Sequence, residues 1–269
     1  MLSTLAAVIG LIAVASYLAG TLLQAQTFRQ NRAPNTRVLL SLATLGAVAH
    51  GIANYLILYS GGKLYLGMQT SASLVAWIML CFVLLANLRL PLQNLLILVL
   101  PVSILGVICL LTAPPGNGLH VASMSDPLIW HILISIVAYS VLFMAACQSV
   151  LLAVVERRLK HKRTRLLRLL PPLQTMDTLL FDLLWAGIVV LTLSVATGFL
   201  FLDDLFEQRV VHHTVLTLAS WVLYAVLLAG HHILGWRGTT AVRWTLIAFS
   251  LLVLGYFGSK FVIEVLLAS

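Results

Sequence analysis

The side chains best able to do chemistry in this chain are histidines. Four of the eight are the candidates, lying within long apolar stretches or at their outer edges: His50, His131 and the adjacent pair His212 and His213. A neutral imidazole offers a nitrogen lone pair and is a common ligand of haem iron, copper and zinc. Haem requires one or two such ligands, an apolar slot for the ring, and a basic or polar group for its propionates. Lys63 and Arg209 are the basic residues placed for that last role. Hydrolysis at zinc would require His-Glu-x-x-His or a carboxylate-rich set, and the sequence contains neither. No Asp or Glu lies in the middle of an apolar stretch, and Asp182 and Glu264 fall near the ends. That pattern disfavours ion-coupled transport, which places ionisable groups inside the membrane. No nucleophile–base constellation is present, so the chain does not read as an enzyme. A competing role must be weighed at each position. A lone histidine in an apolar stretch is as often a packed side chain bonded to a carbonyl or hydroxyl. His120 reads as a loop residue, and His161, His231 and His232 as surface residues at the opposite face.

What must position these groups is set by composition. Apolar residues make up 61% of the 269 and charged residues only 9%, against about a quarter charged in soluble domains. Mean hydropathy is +1.05. A hydrocarbon core of about 30 Å needs roughly 20 apolar residues per helix. Eight stretches meet that need, near 2–23, 38–59, 66–88, 91–112, 127–155, 180–202, 211–234 and 241–267. Their apolarity is continuous rather than alternating, so helices are expected and a barrel is not. The fold class is thus all-α, a polytopic membrane helix bundle of about eight transmembrane helices embedded in the lipid bilayer. The first stretch has no Lys or Arg before it and is read as a retained span rather than a cleaved signal. Cys81, Cys109 and Cys147 each sit inside an apolar stretch and read as small packing residues.

Orientation follows from charge. Thirteen of the sixteen basic residues fall in alternate loops, seven of them between Arg157 and Arg168. The positive-inside rule puts those loops in the cytoplasm and both termini outside, N-out and C-out. The net charge of +8 therefore fixes topology, and no nucleic-acid partner is expected. With that orientation His50 lies about 18 Å along its helix from the cytoplasmic face, and His131 about 6 Å below the outer face. Four or five of the eight histidines then gather in the outer half. The stretch RLLRLLPPLQTMDTLL at 165–180 mixes Arg and Leu around Pro171-Pro172. An interfacial segment, a break and a lead-in to the sixth span are expected there.

Four stretches occur in an order that resembles the cytochrome c assembly protein family, the membrane haem-handling proteins of the CcsA, CcmC and CcmF type. They are WHILISIVAYSVLFMAA at 130–146, WAGIVVLTLSVATGF at 185–199, LASWVLYAVLLAGHHILGWRG at 218–238 and GYFGSK at 255–260. The family's tryptophan-rich loop is replaced here by FLDDLFEQRVVHHT, which has no Trp. In this, and in VAHGIANY and LPPLQTMD, the chain is most similar to the short YpjD-like inner-membrane branch. The resemblance implies a six-span domain over 65–267, preceded by a two-span segment over 1–64, in a bacterial inner membrane. It also implies a haem-handling role in cytochrome c assembly or haem trafficking. His50 and His131 are then the candidate iron ligands, with His212 or His213 as alternatives, and other assembly or membrane subunits are the expected partners. The alternative is a non-haem accessory or regulatory subunit, for example of an ion-efflux system, that keeps the same architecture.

Overall fold

Backbone groups in lipid find no water, so an apolar stretch must close its hydrogen bonds within itself. The computed structural model describes residues 2–30, 32, 35–60, 63–89, 92–113, 119–120, 126–160, 170–201 and 211–258. Within them the chain forms α1 (Leu2–Arg29), α2 (Thr36–Leu58), α3 (Met68–Ala86), α4 (Leu96–Leu111), α5 (Asp126–Lys160), α6 (Leu173–Phe201), α7 (Val211–Leu234) and α8 (Thr239–Val253). All eight helices are long and apolar enough to cross a membrane, counting the 3₁₀ turn Gln93–Leu95 that leads into α4 and the π-helical turn Leu254–Gly258 that ends α8. The expected bundle is therefore present, and the protein is a polytopic helical membrane protein. Residues 165–169 of the expected interfacial segment lie outside the described residues; the break at the proline pair is present, and the lead-in over 173–180 is already part of the sixth helix. Neither Pro171 nor Pro172 has an N–H to donate, and α6 begins directly after them, with Met176 N–H bonded to the Pro172 carbonyl at 3.1 Å.

Two compact units divide the chain: Met1–Ser123 with Arg158–Pro171, and Met124–Arg157 with Pro172–Ser269. The boundary expected at 64/65 falls inside the first. In the first unit α1 packs on α2, α2 on α3, α3 on α4 and α4 back on α1. Asn35 starts α2 by accepting the N–H groups of Arg37 and Val38. A small antiparallel sheet, which the apolar pattern gave no reason to expect, joins the turn after α2 to the stretch after α4. Its strands β1 (Tyr59–Ser60), β2 (Lys63–Leu66) and β3 (Leu119–His120) lie in the order β1-β2-β3, with Tyr59 opposite Leu64 and Tyr65 opposite His120. These runs are too short for a hydrophobic period to announce them.

The second unit has the same cyclic order. Leu142 of α5 lies against Gly187 of α6, α6 packs on α7 and α7 on α8, and the Phe143 and Phe249 rings join α5 to α8 at 5.0 Å. The link from α7 to α8 is short because Gly235 and Gly238 take φ of 68° and 55°, a region L side chains avoid. Trp236 folds back, its N–H on the Gly230 carbonyl and its ring on Gly230. Gly238 caps α8, and its N–H faces Asp177 Oδ1 at 3.3 Å. The Glu156 carboxylate abuts the same glycine. Two carboxylates at a helix start suit the positive end of its dipole. Gly238→Ala combines a disallowed φ with a clash against Glu156, so a loss of about 1–3 kcal/mol is expected. Chemical unfolding in mixed micelles measures it, and a variant as stable as the parent would refute the strain.

Candidate functional site

His50 sits where all four helices of the first unit converge, and it is fully buried. Its neighbours are admitted by glycines. The Tyr17 ring of α1 lies on Gly46, the Trp77 ring of α3 lies on Gly51, and Gly106 of α4 approaches Ala76 and the His50 ring. Trp77 is held in place by its N–H bond to the Ala47 carbonyl at 2.8 Å.

The proton positions around His50 follow from donor counting. Ser73 Oγ gives its one proton to Asn54 Oδ1 at 2.8 Å. It must therefore accept from His50, whose Nε2 lies 2.8 Å away. That puts the imidazole proton on Nε2 and the lone pair on Nδ1. Tyr17 donates its hydroxyl proton to that lone pair at 3.3 Å. Both ring nitrogens are thus engaged, and the ring is boxed in by side chains. An iron ligand needs a free lone pair and open space on that side, so this arrangement of His50 does not fit haem ligation. It fits a buried hub that ties α1, α2 and α3 together.

His131 is different. It lies in the second turn of α5, half-buried, with its ring against Gly198 of α6. Thr197 Oγ1 donates to the Ser194 carbonyl at 2.9 Å, so it accepts from His131 Nδ1 at 3.1 Å. Nδ1 then carries the proton, and the lone pair is on Nε2. A metal-binding histidine typically has this form, one nitrogen tied to an acceptor and the other presented. Ser135 reinforces the seam, donating to the His131 carbonyl and pairing with Ser194 at 2.7 Å each. These residues would fit His131 as a single iron ligand.

The remaining candidates scatter. His213 lies in the first turn of α7, its ring 6.0 Å from that of Tyr256. Because α5 and α7 both run antiparallel to α6, His131 and His213 share one end of the second unit. Among the described residues no three His, Cys, Asp or Glu side chains gather as a metal site. The side chains of Lys63, His120 and His212 and the whole of Arg209 lie outside the described residues. His231 serves the fold. It stacks on Phe181 at 3.5 Å and bonds the Trp236 carbonyl at 2.8 Å, closing the turn into α8. Sequence reasoning missed Tyr17, Ser73, Asn54 and Thr197, the groups that set the two tautomers. The spacing His50-x-x-x-Asn54, one helical turn, was the only available signal.

A polytopic membrane protein with eight membrane-capable helices among its described residues is the class that the fold defines. The family model of the cytochrome C assembly protein matches residues 2–267, and the chain belongs to that family. Among curated proteins it is similar to the inner membrane protein YpjD of Escherichia coli K12, 32% identical over 155 residues, 58% of this chain and 59% of the relative. It is also similar to the "uncharacterized 28.8 kDa protein in nifR3-like 5'region" of Azospirillum brasilense, 42% identical over 147 residues, 52% of this chain and 54% of the relative. The aligned part thus spans under two thirds of either relative. No solved structure matches the chain.

Proposed function

We propose that this chain is a haem-binding member of its family, handling haem in cytochrome c assembly or haem trafficking, with His131 as an iron ligand. The observation that supports this is the fixed tautomer of His131, which presents Nε2 from a half-buried position on a polar seam. Haem bound there supplies a redox-active, ligand-exchanging iron. The chain's own residues hold and orient it: Thr197 fixes the ring proton, Gly198 leaves room for the ring, and His213 stands at the same end of the unit. His212 and the basic residues Lys63 and Arg209 remain proposed contributors. We place the chain in a bacterial inner membrane, as the name of the Escherichia coli relative states for that protein. We also place both termini outside, because thirteen of sixteen basic residues fall in alternate loops. That orientation sets His131 toward the outer leaflet. The reading assigns no reaction to the chain, only binding and presentation, and other assembly or membrane subunits are the proposed partners.

Protein purified in detergent after haem-replete expression is expected to show a Soret band. His131→Ala should remove it, and His50→Leu should leave it, since both ring nitrogens of His50 are already engaged. A band that survives His131→Ala but not His50→Leu would reverse the assignment. No band at all in the parent would turn the reading to a non-haem accessory subunit.

A further inference from the structure

No Asp or Glu lies in the middle of an apolar stretch, and sequence alone offers few residues to line a polar cavity. The second unit nonetheless places a row of hydroxyls in its interior. Thr217, Ser220 and Tyr224 repeat at helical spacing on the buried face of α7, opposite Thr245, Ala248 and Leu252 on the buried face of α8. Ser220 Oγ donates to the Ala248 carbonyl at 2.8 Å and fixes the register. Four residues on in α7 and three back in α8, Tyr224 falls level with Thr245. In the other direction, Thr217 falls level with Leu252. Tyr139 enters from α5, its hydroxyl donating to the Leu252 carbonyl at 3.2 Å and facing Thr217.

Two of these hydroxyls, Tyr224 OH and Thr245 Oγ1, have no partner among the described residues, and Thr217 Oγ1 has only the facing Tyr139 hydroxyl. Tyr224 and Thr245 are fully buried and Thr217 is 8% exposed. A buried polar group left without a partner is costly, and such groups are rare in native interiors. Here two lie level with each other on one seam, with the Thr217–Tyr139 pair about two turns along it. Just beyond Leu252 the helix loosens into the π-helical turn Leu254–Gly258, a distortion that occurs frequently at functional sites. A bound water needs two to four polar partners, and this seam supplies them. The polar groups placed on it are neutral hydroxyls and a carbonyl, which suits a neutral ligand rather than an ion.

We propose that the seam between α5, α7 and α8 is a hydrated site, holding bound water on Tyr139, Thr217, Tyr224 and Thr245 inside the second unit. His131 is not part of this site, and no haem is needed for it.

Hydroxyl-radical footprinting of the full chain in detergent tests this, because radicals form from water and mark side chains beside it. Tyr17 is the internal control. It is as fully buried as Tyr224, but its hydroxyl is bonded to His50 in a packed box. Tyr224 is expected to be oxidised several-fold faster than Tyr17, and the Thr217→Val/Thr245→Val double variant should bring the two rates together. Tyr224→Phe is expected to lower the melting temperature by removing a water ligand. Oxidation of Tyr224 no faster than Tyr17 would overturn the proposal, as would a rise in melting temperature on Tyr224→Phe, the signature of an orphan hydroxyl in a dry core. The parent comparison needs no variant, so it stands even if the double variant does not fold.

Discussion

Gly46→Leu is expected to be the most destabilising single change in the first unit, by about 2–4 kcal/mol. A Cβ at this position would stand inside contact distance of the Tyr17 ring, nearest its Cε1 and Cδ1 atoms. Tyr17 is fully buried, so its ring has nowhere to swing. Two effects follow from displacing it. Overpacking costs about 1–3 kcal/mol. Loss of the Tyr17–His50 hydrogen bond adds less, because interhelical bonds in membranes average about 0.6 kcal/mol and reach about 1.7, and this one is long at 3.3 Å. Sterics therefore dominate. Adding Tyr17→Ala to Gly46→Leu should restore part of the stability by making room, although Tyr17→Ala alone is destabilising. Unfolding curves in mixed micelles for the four proteins give the answer. A Gly46→Leu variant within about 0.5 kcal/mol of the parent would show that α1 does not lie this close to α2.

His50→Leu should cost about 2–3 kcal/mol, and the diagnostic part is its coupling to Tyr17. The side chains are of similar size, so the loss comes from hydrogen bonding rather than from a cavity. Removing the imidazole leaves the Tyr17 hydroxyl buried without an acceptor and takes away the donor to Ser73. Ser73 keeps its bond to Asn54, so Tyr17 bears most of the cost. In the parent, Tyr17→Phe should be mildly destabilising, since it removes a bond. In the His50→Leu background the same change should be neutral or stabilising, since it removes an orphan. A double-mutant cycle measures that change of sign. Equal effects of Tyr17→Phe in both backgrounds would mean that the two side chains do not share a proton.

The two histidines show how far sequence reached. Both read alike from the chain: a single imidazole in an apolar span, with ligation and packing as competing roles. Donor counting at Ser73 and Thr197 separates them, and it requires knowing which hydroxyl lies against which ring. Ser73 is 23 residues from His50, and Thr197 is 66 from His131. No local spacing encodes such pairs. The hydroxyl row in the second unit was half legible. Thr217, Ser220 and Tyr224 form a polar stripe on one helix, but only the facing of α8 turns a stripe into a site. Gly46, Gly51 and Gly106 are similar, because a glycine in a span marks a close approach without saying what approaches.

By itself the sequence determined that the chain is a membrane bundle, roughly where the eight described helices lie, and that the chain breaks at Pro171-Pro172. Those outcomes depend on local quantities: the transfer of about 20 apolar side chains per span into lipid, and the missing N–H of proline. The tertiary structure alone decided which nitrogen of His50 and of His131 carries its proton, where the small sheet forms, and which hydroxyls are buried without partners. Each of these turns on groups brought together from separate helices, and in a bilayer apolar side chains are at ease facing lipid or protein alike. Hydrophobicity therefore places the helices but does not choose their neighbours; close packing at small residues and interhelical hydrogen bonds do.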